Sequence, residues 1–311
     1  MAKAKRGGCT DGTIGSAAAS KAPAYDDVGT RPAAVRPRYI RAVLPRVIPC
    51  LLLQGRGLVK TRRFKDPVYL GDPVNIIKIF NDKEVDELVL LDIQATRERR
   101  GPDLGFLAEL ATEAFVPLAY GGGITALEQM RALFACGFEK VVINTSAAEE
   151  PELVSRAADA FGAQSVVVSV DVRQRLFGGY EVVTRAGHRR TGLNPVSYAV
   201  RMQHLGAGEL LLTAVHRDGT MRGYDLALTH LVASAVDIPV VACGGARGLD
   251  DFRRAVEEAG ASAVAAGSMF VFHGTHRAVL ISFPSREEIA AAFSQAPGVP
   301  LPDAGPRSRP V

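Results

Sequence analysis

The residues best placed to do chemistry stand just after short apolar runs. Val166-Val-Val-Ser-Val-Asp171 ends on a carboxylate, and an aspartate at a strand's C-terminal edge can act as a general acid or base or serve as a hydrogen-bonded structural group. Two further runs end in Gly121-Gly122-Gly123 and Gly244-Gly245, and two more in Asn144-Thr145 and Gly267-Ser268. Glycines ahead of a helix start let backbone N–H groups approach an anion, and the helix dipole adds attraction for a phosphate. The sequence thus offers two phosphate sites, the alternative being glycines that serve only tight turns. His216, opening His-Arg-Asp-Gly-Thr, is the only histidine at a strand end; it reads as a site residue or as a plain loop histidine. His273 and His276 have no carboxylate neighbour, so no metal site is expected, and no cofactor.

These residues need a scaffold that aligns strand ends. Pro-Leu-Ala-Tyr-Gly-Gly-Gly at 117–123 returns as Pro-Val-Val-Ala-Cys-Gly-Gly at 239–245, and the same offset sets Glu87 against Glu209. An internal repeat of this size points to two similar halves. From Val47 onward, apolar runs at 47–53, 86–93, 116–120, 140–144, 165–171, 209–215, 238–243 and 262–267 read as strands. Helical periodicity falls between them, at 73–83, 104–114, 125–136, 151–161, 195–205, 226–236 and 249–259, with 285–294 as a closing helix. Strands apolar on consecutive positions are buried on both faces, as parallel strands under helices are. Eight such units predict a (β/α)8 TIM barrel with a two-fold half-barrel repeat, whose active face lies at the C-terminal strand ends. An open doubly wound sheet is the alternative.

Composition narrows the rest. Of 311 residues, 47% are hydrophobic and 23% charged, enough for one large core. No apolar run is long enough to span a bilayer, so no membrane partner is expected. The net charge of +4 is matched by residues 1–40 alone, where seven Lys/Arg face three Asp, and the balanced remainder gives no ground for a nucleic-acid partner. Residues 1–44 read as a disordered basic tail, 45–295 as the barrel and 296–311 as a disordered C-terminal tail. Cys9, Cys50, Cys136 and Cys243 lack CxxC spacing, which fits a reducing compartment and a cytoplasmic protein.

Taken together, Arg46-Val-Ile-Pro-Cys-Leu51, Asp86-Glu-Leu-Val-Leu-Leu-Asp92, Gly121-Gly-Gly-Ile124, Val142-Ile-Asn-Thr145, Gly178-Gly-Tyr-Glu-Val182 and Arg217-Asp-Gly-Thr220 resemble HisF, the cyclase subunit of imidazole glycerol phosphate synthase. The similarity runs from about Arg46 to Phe272. It implies a barrel that takes ammonia from a HisH-like glutamine amidotransferase partner at the bottom face and uses it at the top on a phosphorylated small molecule. Arg46, Glu87, Lys140 and Glu209 fall at the family's four-charge ammonia gate. The family's phosphate positions carry over to Gly123, Asn144 and Thr145 in one half and to Gly219, Gly245 and Ser268 in the other. Lys60 matches the lysine of the first loop, and Asp218 the aspartate of Asp-Gly-Thr.

Two positions depart from the family pattern. Its acid/base pair has one aspartate after each half's first strand; Asp171 supplies one, and the other position is Leu52. His216 stands where the family usually has a further aspartate. Leu51-Leu52-Leu53-Gln54, with Gly57-Leu-Val-Lys60-Thr61 and Phe64-Lys-Asp-Pro67, also resembles a HisF-related branch associated with amidation of bacterial surface-polysaccharide sugars. Three readings follow: an ammonia-channelling subunit for glycan amidation, a working cyclase of histidine biosynthesis that uses Asp171 and His216, or a non-enzymatic phosphate-binding barrel.

Overall fold

The computed structural model describes residues 44–274 and 276–294. The tails expected to be disordered lie outside these residues except for Leu44, which packs against the core. The barrel strands are β1 (Arg46–Gln54), β4 (Leu88–Asp92), β5 (Leu118–Gly121), β6 (Lys140–Ile143), β7 (Val166–Gln174), β10 (Glu209–Ala214), β11 (Val240–Cys243) and β12 (Ala263–Ala266). All neighbouring pairs are parallel, and β12 closes onto β1 through Arg46↔Ala263 to Pro49↔Ala266. The chain is a (β/α)8 TIM barrel.

Helices cross between strands where local chemistry starts them. In α1 (Pro73–Asp82), Asp72 caps the Asn75 N–H, proline occupies the first turn, and Ile76, Ile77 and Phe80 face the core. In α2 (Leu104–Glu113), Asp103 caps Phe106; α3 (Leu127–Ala135) buries Met130 and Leu133. Then come α4 (Thr145–Glu149), α5 (Glu152–Phe161) and α6 (Pro195–His204), the last capped by Asn194. Asp225 caps α7 (Leu226–Ala233), and α8 (Leu249–Glu257), α9 (Ser268–Val271) and α10 (Arg286–Ser294) complete the set. No helix among the described residues is long and apolar enough to cross a membrane.

Side chains alternate across each strand, so every second residue enters the barrel. Ile48, Val89, Val142, Val167, Leu211 and Val241 form part of an interior apolar cluster, separate from the larger cluster between strands and helices.

The structure adds elements to the expected pattern. Behind β1 stand β2 (Gly57–Arg62) and β3 (Lys65–Gly71); behind β7 stand β8 (Tyr180–Thr184) and β9 (Arg189–Arg190), so the first strand of each half carries an antiparallel hairpin on the top face. The β2–β3 turn is built on Arg63 and Phe64 at φ +54° and +63°, without a glycine to announce it. A short β13–β14 pair (Phe272–His273, Ala278–Val279) precedes the closing helix.

Candidate active site

The strand ends converge on one top-face cavity of about 1270 Å³, counting its solvent-open mouth. Leu52 of β1, Asp92 of β4, Gly121 of β5, Asn144 after β6, Asp171 of β7, Thr213 of β10, Cys243 of β11 and Gly267 after β12 all line it. Lys60, Gly122, Gly123, Thr145, Asp218, Gly219, Gly244, Gly245 and Ser268 line it too.

Among the described residues, three carboxylates face this space. Asp92 is tied to Arg100 at 2.8 Å, and Asp218 to the Lys60 ammonium at 2.9 Å. Burial alone would lower the Lys60 pKa, but the Asp218 charge and hydrogen bond outweigh it and raise it, so the amine stays protonated. Asp171 has no cationic partner among the described residues. Burial pushes its pKa up to about 7; the Ser169 hydroxyl, donating at 3.1 Å, pulls the other way, and the Asp218 charge adds to the rise. Asn144 donates to the Ser169 carbonyl at 2.9 Å and reaches Asp171 at 3.4 Å, fixing the carboxyl's orientation. A carboxyl so held is poised to give or take a proton near neutral pH.

The raised pKa has a stability consequence. The folded state retains the proton that the unfolded chain releases near pH 3.8, so stability drains as pH climbs from about 4 to 7. Asp171→Asn is therefore expected to be more stable than the parent by about 4 kcal/mol at pH 8 and equal to it at pH 3.5. Urea melts at the two pH values check this, and a variant weaker at both would contradict it.

The two glycine pairs share a geometry. Gly122 and Gly123 have φ of +135° and +67°, and Gly244 and Gly245 of +91° and +113°. A Cβ on Gly123 would lie 2.3 Å from the Arg100 carbonyl oxygen, and one on Gly245 2.3 Å from that of Gly223, so close backbone contact alone requires glycine here. The halves differ in their hydroxyls. Thr145 Oγ1 accepts the Arg185 N–H at 3.0 Å, whereas Ser268 Oγ is buried at the cavity wall without a partner among the described residues. Gly219 sits at φ +70°, and a Cβ there would meet the Thr61 carbonyl oxygen at 2.3 Å. Gly219→Ala should cost about 2–4 kcal/mol in urea unfolding; a loss under about 0.5 kcal/mol would show that the β2 backbone yields freely.

At the opposite end of the barrel, four charges close a ring. Arg46 binds Glu87 and Glu209, and Lys140 Nζ binds the same two at 2.8 and 2.9 Å. Both glutamates are buried, and above them Ile48, Val89, Ala119, Val142, Val167, Leu211 and Val241 line a narrow apolar space.

The model of the family described as histidine biosynthesis protein matches residues 46–277. The chain belongs to this family. A Pseudomonas aeruginosa relative named "Putative imidazole glycerol phosphate synthase subunit hisF2" is 52% identical over 239 residues, 77% of this chain and 95% of the relative. Imidazole glycerol phosphate synthase subunits HisF of Alkaliphilus metalliredigens and Trichormus variabilis are each 43% identical, over 74% and 72% of this chain and 92% and 88% of their own. The resemblance to HisF read from the sequence is thereby established, and the fold is the family's TIM barrel.

On this HisF scaffold one candidate is displaced. His216 does not line the cavity; its Nε2 lies 3.0 Å from Asp225 Oδ2, which also takes the Tyr180 hydroxyl at 2.9 Å. The cause is local: β10 ends at Ala214, and His216 falls in the following turn, where the cap of α7 and the base of the β7–β8 hairpin hold it. Missing from the sequence reading were Ser169, Thr213 and Arg100. Ser169 was legible as the residue two before Asp171 on the same strand face, whereas Thr213 faces Asp171 only through the β10–β7 register.

Proposed function

We propose that this HisF-family chain is a barrel subunit that takes ammonia from a HisH-like glutamine amidotransferase at the charged ring, passes it through the apolar interior and releases it at the top for amidation of a bacterial surface-polysaccharide sugar, in the cytoplasm. One observation carries the choice over cyclisation. Where the resemblance places the second acid, the cavity wall holds Leu52, 7% exposed, and the only carboxylate there without a cationic partner among the described residues is Asp171. A two-step acid/base cyclisation is left with one proton carrier. The ring supports the conduit: the acids and bases satisfy one another, so the entrance carries no net charge, and the space behind is lined by aliphatic side chains that suit a small neutral molecule.

The second reading, a working imidazole glycerol phosphate cyclase, draws on Lys60–Asp218, both glycine pairs and the free Ser268 hydroxyl, a set that fits a ligand with a phosphate at each end. The two readings part in one assay. Given ammonium salt and the phosphoribulosyl formimino aminoimidazole carboxamide substrate, the purified protein is expected to form little or no imidazole glycerol phosphate; robust turnover would sink the amidation reading.

A further inference from the structure

The two top-face hairpins expose apolar side chains that no part of the cavity uses. At the β7–β8 tip, Leu176 and Phe177 are 97% and 101% exposed, and on β3 Val68 and Tyr69 are 51% and 65% exposed. Adjacent, fully solvated leucine and phenylalanine at a turn are costly to display without a use. The tip is also held in place. Gly178 and Gly179, at φ +90° and +78°, make the turn, and the Tyr180 hydroxyl at its base is tethered to Asp225. Leu176 lies five positions beyond Asp171 along the chain, so the tip stands roughly 15 Å beyond the cavity carboxyl.

Charge gathers on the same elements. Apart from Lys60, which is buried against Asp218, residues 55–71 hold four Lys/Arg against Asp66, and residues 172–193 hold five Arg against Glu181 and the neighbouring Glu149, a positive excess on each hairpin. The hairpins therefore make a cationic collar studded with apolar points. A cationic rim alone would serve to attract a phosphorylated ligand; fully exposed Leu176 and Phe177 would not.

We propose that the Leu176–Phe177 tip, with Val68 and Tyr69 across the mouth, docks the enzyme that consumes the ammonia, through a partner face bearing an apolar recess rimmed by carboxylates. The inference rests on the conduit reading. Released ammonia must enter a second active site before it escapes, and the points that would seat that enzyme surround the exit. An anionic bilayer also matches cationic and apolar chemistry, but seated here it would cap the mouth with lipid and leave the ammonia no acceptor.

The test uses the full-length protein in its native host, with a photo-crosslinking benzoylphenylalanine at position 177 and, as control, at position 231 on α7. A crosslink specific to position 177 is expected to capture a third protein that, once purified, makes its amidated product from ammonium salt. With that protein and the glutaminase, the double variant Leu176→Ser, Phe177→Ser should lower glutamine-driven product at least tenfold and leave ammonium-driven product unchanged. Crosslinking only to the glutaminase, to a second copy of this chain or to phospholipid overturns the proposal, as does an unchanged glutamine-driven rate. The cyclase assay reads the underlying function separately: turnover there removes the conduit reading, whereas its absence together with a failed crosslink removes only the docking surface.

Discussion

Leu52→Asp is expected to raise imidazole glycerol phosphate formation by about 10²–10⁴ over a wild-type rate near background, with ammonium salt as nitrogen source. The position is ready for the change. Leu52 lies inside the cavity wall, opposite Val59 of β2 and Leu91 of β4, with Lys60–Asp218 and Asp171 lining the same space. A carboxyl introduced there would supply a second proton carrier without displacing either glycine pair. It would also be partly desolvated, so a stability loss of about 1–3 kcal/mol should accompany the gain. With Asp171 titrating near 7, the recovered rate should vary across pH 6 to 8. A folded Leu52→Asp protein that stays inert would show that the cavity departs from a cyclase at more than this residue.

The second large effect is expected at the ring. Lys140→Met removes one of the two cations that neutralise Glu87 and Glu209, whose side chains are 5% and 7% exposed. Breaking a buried ion pair from one side leaves an uncompensated charge, and with Lys140 itself 19% exposed the cost should be about 2–4 kcal/mol. Adding Glu209→Gln restores neutrality, and most of the loss should return. Urea denaturation of the two single variants and the double variant measures the coupling. Additive effects would mean that the four groups do not act as one ring. In the glutaminase complex, the same Lys140→Met should depress glutamine-driven product more than ammonium-driven product.

How much of this was legible in the chain depended on periodicity. Runs such as Val166–Val170 and Leu210–Leu212 are buried on both faces and announce parallel strands, and the 122-residue offset fixes their pairing into halves. Asp171 and the glycine pairs followed, because strand ends are where such a fold places its polar groups. The hairpins did not follow. β3 is mostly exposed and so carries no apolar signal, and its turn uses Arg63 and Phe64 in a conformation those residues rarely adopt. His216 follows a related logic: spacing puts it at a strand end, but its partner Asp225 lies in the next helix cap, and sequence alone does not tell a side chain that bonds sideways from one that faces the cavity. The ring needed the repeat for its glutamates and the family resemblance for its cations.

The hairpins also touch each other. The Arg63 N–H donates to the Asp218 carbonyl at 2.9 Å, Phe64 lies against Gly187, and Arg173 reaches the Gly187 carbonyl at 3.2 Å. Phe64 and Gly187 thus bring the two hairpins together at one point beside the cavity's open mouth. A ligand large enough to need them parted would pay a conformational tax: its apparent dissociation constant equals the intrinsic one divided by the fraction of molecules with the hairpins apart. For such a ligand, an affinity measured on the isolated barrel understates the pocket's own, and a protein that holds the hairpins apart would tighten binding without contacting the ligand.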